Sequence, residues 1–252
     1  MAHDLITMII LLVAGLLAGI VNTLAGGGSM LSLPALMMLG MPADIANATN
    51  RVGIFLQSIA GAKGFRDYDR LDSSAIGPIL VPTLAGALIG SVAASYLPVW
   101  LLKPTLLCSM VLMALVMLVR PGTISPADGT PVRKLNETPL AIVSLFFAGM
   151  YGGFVQAGVG FILIAALAGG LRYDLVRTNA LKMVCTAVLS GVALIVFVAR
   201  DQVMWFPGLV LAVGMVIGAT LSVRFAISVS QKTLKWLLLI MVSIASGAAM
   251  LS

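Results

Sequence analysis

"NTLAGGGSM" occupies residues 22–30 and interrupts an apolar run that begins near Leu5 and resumes at Met30. Consecutive glycines suit a helix interior poorly, because each costs roughly 1 kcal/mol relative to alanine. Asn22, Thr23 and Ser29 place polar groups at the same break. Non-helical backbone at membrane depth is tolerated only where it is buried in protein or lines a cavity. Gly26, Gly27 and Gly28 would let the backbone turn and approach a ligand closely, since glycine carries no Cβ. The element starting at Ser29 would then offer free N–H groups and a positive dipole end to an anion, with Ser29 as N-cap or ligand donor. The plainer alternative is that the glycines only permit close helix packing.

The 252-residue chain is 60% hydrophobic and 10% charged, whereas soluble domains carry about 25% charged residues. Apolar stretches of spanning length recur from end to end, so the lipid bilayer is the expected solvent. The opening MAHD lacks a basic n-region, and the first apolar segment is expected to stay in the mature protein. The net charge of +6 reads as a topology signal on short loops, and no nucleic-acid partner is expected. Cys108 and Cys185 lie in apolar segments and His3 is terminal, which speaks against a disulfide framework or a metal site. No cofactor is implied.

Ten hydrophobic elements are expected, at about 5–21, 29–39, 44–62, 74–96, 99–119, 139–157, 160–171, 175–199, 203–223 and 234–251. Two are too short to cross: 29–39 reaches about 16 Å and 160–171 about 18 Å, against a hydrocarbon core near 30 Å. With the N-terminus outside, loops 63–73, 120–138, 172–177 and 224–233 with their flanks fall inside. They collect Lys63, Arg66, Arg70, Arg120, Arg133, Lys134, Arg172, Arg177, Arg224, Lys232 and Lys235, leaving Lys103 and Arg200 outside. That bias predicts cytoplasmic basic loops in a bacterial inner membrane and periplasmic termini, whether the short elements cross or form re-entrant hairpins.

The two halves resemble each other. "GLLAGIVNTLAGGGSMLSLPAL" (15–36) aligns with "GMYGGFVQAGVGFILIAAL" (149–167), setting Asn22 opposite Gln156 and Gly27–Gly28 opposite Gly158–Gly160. Further on, Thr49-Asn50 stands opposite Thr178-Asn179. The pattern predicts an all-α polytopic membrane protein built from two inverted five-element repeats, 1–120 and 139–252, joined by a cytoplasmic linker at 121–138.

"GIVNTLAGGGSMLSLPALMMLGMPADIANATNR" resembles the first signature of the TauE/SafE family of sulfite exporter-like permeases, and "GGFVQAGVGFILIAAL" followed by "TNALK" resembles its second. The second has fewer glycines and carries Ala165 where the first carries Pro34. The resemblance implies transport of sulfite, sulfonates or related sulfur oxyanions.

The charges point to an anion independently. All nine acidic residues fall at ends or in loops, and only Arg51 and Lys182 are expected deep in the membrane. A charge at a helix centre costs about 2.5–3.5 kcal/mol on insertion scales and usually marks a substrate pathway. Arg51 shares a polar stripe with Asn47, Asn50 and Ser58, with Gln57 beside it; Lys182 shares one with Thr178, Thr186 and Ser190. Arg51 is the expected principal anion contact, supported by Thr49, Asn50, Asn22 and the N–H groups of Gly27–Ser29. The candidate binding set is Asn22, Thr23, Gly26, Gly27, Gly28, Ser29, Thr49, Asn50, Arg51, Gln57, Gln156, Gly158, Gly160, Thr178, Asn179 and Lys182. Alternatively, each cation snorkels or binds backbone carbonyls at a break. GGGS lacks the GK[ST] of a P-loop, so transport would be secondary rather than ATP-driven. A passive anion channel is the alternative function. An enzyme would need an acid–base pair at depth, which these spans lack. A homodimer is compatible with the sequence.

Overall fold

The computed structural model describes residues 2–119, 130–230 and 233. Among them the chain is helical throughout: α1 (Ala2–Leu24), α2 (Ser29–Met38), α3 (Ala43–Asp67), α4 (Ser73–Tyr96), α5 (Val99–Val119), α6 (Pro139–Phe154), α7 (Val159–Ile164), α8 (Leu175–Val198) and α9 (Trp205–Ser228). A π-helical turn, Ala165–Gly170, continues α7. The expected tenth element at 234–251, linker residues 120–129 and Lys232 lie outside the described residues. Several boundaries differ from expectation, and α1 runs on through Asn22 and Thr23 to Leu24. α3 runs on to Asp67, α6 stops at Phe154, and α9 extends to Ser228, so Lys63, Arg66 and Arg224 sit on helices rather than in loops. The amphipathic stems of Lys and Arg let a helix carry its cations into the interfacial layer.

The surface is inverted relative to a soluble protein. Phe206, Leu209, Val213, Ile217 and Leu221 form an exposed apolar stripe on α9, and Leu5, Ile9 and Val13 do so on α1. Asn47, Asn50, Arg51, Gln57, Thr178, Asn179 and Lys182 are all buried. Among the described residues, four helices (α1, α4, α8 and α9) are long and apolar enough to cross a membrane. α3 has the length, since 25 residues reach roughly 37 Å, but it carries the polar stripe inward.

Glycine pairs spaced by four set the closest packing. Gly15 and Gly19 of α1 lie against the backbone of Leu211 and Met215, while Gly214 and Gly218 of α9 lie against Leu12 and Leu16. Gly86 and Gly90 of α4 meet Phe146 and Met150 of α6, and Gly149 and Gly153 of α6 meet Thr83 and Ala87. Without a hydrophobic drive between helices in lipid, such close approach supplies the van der Waals energy of association. The order of these contacts makes α1 parallel to α9 and α4 parallel to α6. Gly53 against Met215 and Gly64 against Val223 make α3 parallel to α9; Gly61 against Met183 and Gly191 against Phe55 make α3 antiparallel to α8.

The helix ends gather accordingly. At the first end the Met204 amide donates to Thr49 Oγ1 at 3.0 Å, and Arg200 stacks over Tyr96. At the second, the Tyr173 hydroxyl donates to Asp72 Oδ2 at 3.0 Å and the Arg133 amide donates to the Leu171 carbonyl at 2.9 Å. Asp72 also caps α4 through the Ser74 amide. The Ser74 hydroxyl, then Tyr173 and the cap amides, hold its carboxyl below the ordinary range, and partial burial opposes them. Gly214→Leu should force α1 off α9 and lower stability by about 1–3 kcal/mol, the usual cost of overpacking. Gly77→Ala, with nothing within 4 Å of the added carbon, should be neutral or stabilising. Thermal unfolding of the two variants in detergent checks both.

Candidate functional site

α1 and α6 each stop inside the molecule. A helix end leaves its last carbonyls without N–H partners, and in a membrane water cannot satisfy them. The chain supplies a cation to each end. Lys182 Nζ of α8 donates to the Asn22 and Thr23 carbonyls at the end of α1, both at 2.9 Å, and to Asn179 Oδ1 at 2.7 Å. Asn179 Nδ2 reaches the Leu24 carbonyl at 3.4 Å. Arg51 of α3 does the same for α6. Its Nη2 donates to the Gly153 carbonyl at 2.9 Å, its Nη1 to the Gly152 carbonyl and to Gln156 Oε1. Asn47 Nδ2 adds a bond to the Phe154 carbonyl at 3.1 Å. Phe197 of α8 covers the guanidinium, 5.5 Å from Arg51 Cζ to the ring centroid. Arg51 is 0% and Lys182 1% exposed. None of these recorded partners is a carboxylate. The negative ends of two helix dipoles offset the charges instead.

The breaks meet each other. Gly26 (φ 93°) and Gly158 (φ 79°) take the left-handed backbone that lets each chain reverse. Gly26 and Gly160 lie backbone to backbone, and a Cβ on either would strike the other. Gln156, also left-handed at φ 69°, is held by Arg51 and by Ser190, to whose oxygen its Nε2 donates at 3.0 Å. Ser32 of α2 donates to Asn50 Oδ1 at 2.7 Å.

Comparison with known proteins matches residues 11–250 to the family model "Sulfite exporter TauE/SafE". The chain belongs to the TauE/SafE family. A probable membrane transporter protein of Escherichia coli K12, YfcA, is 26% identical over 94% of this chain and 87% of its own length. A probable membrane transporter protein of Haemophilus influenzae is 24% identical over 92% of this chain and 90% of its own. A third, ORF9 of a Sinorhizobium species, is 26% identical over 96% and 91%. Membership makes this chain a multi-pass membrane transporter rather than an enzyme.

The TauE/SafE signatures thus sit at one crossing, though not in the pairing expected for Arg51. Arg51 serves the second break, not Asn22 and Gly27–Ser29; Lys182 serves the first. Each cation goes to a helix C-terminus because carbonyls, unlike N–H groups, attract positive charge. Ser29 is not an N-cap: Gly28 holds that position without a side-chain bond, and Ser29 is buried as the first residue of α2. Gly27 faces the Phe161 ring, and Gly28 the Ala18 carbonyl and Asn22. Two expected members lie elsewhere. Thr49 binds the Met204 amide, and Thr178 donates to the Tyr173 carbonyl at 3.2 Å. The bonds of Arg51 and Lys182 are the backbone-carbonyl contacts that the alternative reading of the two cations described. Which carbonyls, those of Gly152, Gly153 and Phe154, the sequence reading did not name, because main-chain acceptors have no residue type. Their signal was the pairing of a glycine break with a lone cation. Lys182→Met should leave the Asn22 and Thr23 carbonyls unpaired and lower stability by about 1–3 kcal/mol for each orphaned acceptor. Thermal unfolding of the purified protein reads this loss.

Proposed function

We propose that the chain is a secondary transporter moving small sulfur oxyanions, such as sulfite or organosulfonates, across the bacterial inner membrane. The observation that carries the reading is the pair of buried cations at touching helix breaks, held by oxygen dipoles and, among the described residues, by no carboxylate. An anion in transit would supply the missing negative charge and could exchange with the carbonyls. The family description and the relatives' names as probable transporters support the same direction. Arg51, Lys182, Asn22, Thr23, Asn50, Gln156 and Asn179 form the proposed binding set, with the glycines of both breaks.

The packing supports two inverted repeats, 1–120 and 139–252. α1 lies on α9 as α6 lies on α4, α3 lies on α9 as α8 lies on α4, and corresponding helices run in opposite directions. Such symmetry suits alternating access, in which one half rocks against the other around a midplane site. The basic residues Arg70, Arg133, Lys134 and Arg172 support a cytoplasmic second end and a periplasmic N-terminus.

The test is binding and counterflow of sulfite, sulfate, aliphatic sulfonates and carboxylates with purified protein in liposomes. Saturable counterflow of a sulfur oxyanion is expected; uptake without counterflow would make the protein a channel. Arg51→Ala should weaken binding by roughly 2–5 kcal/mol, and Arg51→Lys by less, since it keeps the charge and loses the fork. Unchanged affinity in both would remove Arg51 from the site. Single cysteines at Ser73 and Asp201 fix the sidedness. Impermeant reagents added to intact cells should label only Asp201→Cys, and the reverse pattern would invert the topology.

A further inference from the structure

Polar side chains buried in a protein are nearly always hydrogen-bonded, and each exception asks for an explanation. Among the described residues, the buried side-chain atoms without a partner are Thr23 Oγ1, Asp44 Oδ1, Arg51 Nε, Gln57 Nε2 and Oε1, Ser58 Oγ and Gln202 Oε1. They are not scattered. Asp44 and Gln202 sit at the first end of the bundle, where α3 begins and the loop before α9 passes. Arg51 follows two turns along α3, and Gln57 and Ser58 roughly 9–10 Å beyond it at 1.5 Å per residue. Thr23 lies at the α1 break, where its carbonyl accepts from Lys182.

Gln57 and Ser58 fall between the two cations. Gly61 packs against Met183, so Lys182 is level with the turn of α3 just past them, while Arg51 lies on the other side. Both residues are 0% exposed. Neither amide atom of Gln57 nor the Ser58 hydroxyl is used to hold the fold together. Their neighbours on the same helix behave differently, since Asn47 and Asn50 are both bonded. A structural role would have paired them.

We propose that Gln57 and Ser58 form an uncharged hand-over site where the oxyanion pauses between Arg51 and Lys182. This rests on the anion-transport reading above. The amide N–H2 and the hydroxyl donate to the anion's oxygens, and among the described residues no third buried cation is present to trap it. Passage needs each site strong enough to enter and weak enough to leave, and neutral donors between two cations meet that need. The Gln57 carbonyl oxygen accepts from a proton donor on the substrate. The site therefore favours a singly charged oxyanion that keeps an O–H or N–H group over a fully deprotonated dianion.

The test uses the full chain in liposomes with sulfite and a short alkanesulfonate as probes. Gln57→Leu and Ser58→Ala should unfold at the same or a higher temperature, because the atoms removed have no partners, and should lose less sulfite affinity than Arg51→Ala. Uptake should fall about tenfold or more, the equivalent of one lost hydrogen-bonding step. Ser91→Ala, whose hydroxyl bonds only its own helix at Leu88, should transport normally. Wild-type uptake by both variants would overturn the hand-over site, as would an uptake loss that tracks a lowered melting temperature. If Gln57→Leu fails to fold, Gln57→Met and Ser58→Ala decide. Wild-type protein that neither binds nor moves either probe defeats the transport reading and this site together, whereas normal variants beside an active wild type defeat this site alone.

Discussion

Two helices end where water cannot reach them, and their terminal carbonyls must be satisfied by the protein. In the hydrocarbon region an unpaired backbone group costs several kcal/mol. Lys182 and Arg51 meet that demand, each from a helix outside the hairpin it closes. The result is a reciprocal clasp. The cation of α8 holds the end of α1, and the cation of α3 holds the end of α6. Neither broken helix keeps its end satisfied without the other half of the molecule.

The clasp works because the backbone can come close enough. Gly26 and Gly160 let the two reversals cross in contact, and any Cβ there would push them apart. The paired glycines of α1 and α9, and of α4 and α6, hold the flanking helices tightly enough to keep the crossing in register. A single steric property, the missing side chain, therefore acts at two scales. It permits the break locally and fixes the helix packing that buries it.

Such an arrangement also has functional reach. Carbonyl dipoles stabilise a cation without neutralising it, so the core retains net positive potential. A carboxylate partner would have cancelled that charge and left nothing for an anion to recognise. Under the proposed function, the groups that keep the helix ends satisfied are the same groups that exchange onto the substrate. Binding and helix-end geometry are then coupled, which suits a protein that must alternate between two conformations.

The amino-acid sequence by itself determined the solvent and much of the element pattern. Apolar runs of spanning length admit only a bilayer, and the glycine interruptions expected at 22–28 and 156–160 do break the helices, though the structure narrows them to 25–28 and 155–158. It also isolated Arg51 and Lys182, because charge is too costly at that depth to be incidental. The TauE/SafE resemblance was carried by those same stretches. Tertiary structure alone decided which cation serves which break. Carbonyl acceptors are common to every residue, so no pattern of side chains could reveal that Arg51 would reach Gly152 and Gly153 rather than Asn22. It alone separated Thr49 and Thr178, engaged at the bundle's ends, from Asn50 and Asn179, which reach the broken elements. Adjacent residues on a helix point about 100° apart, and only packing says which direction holds the partner.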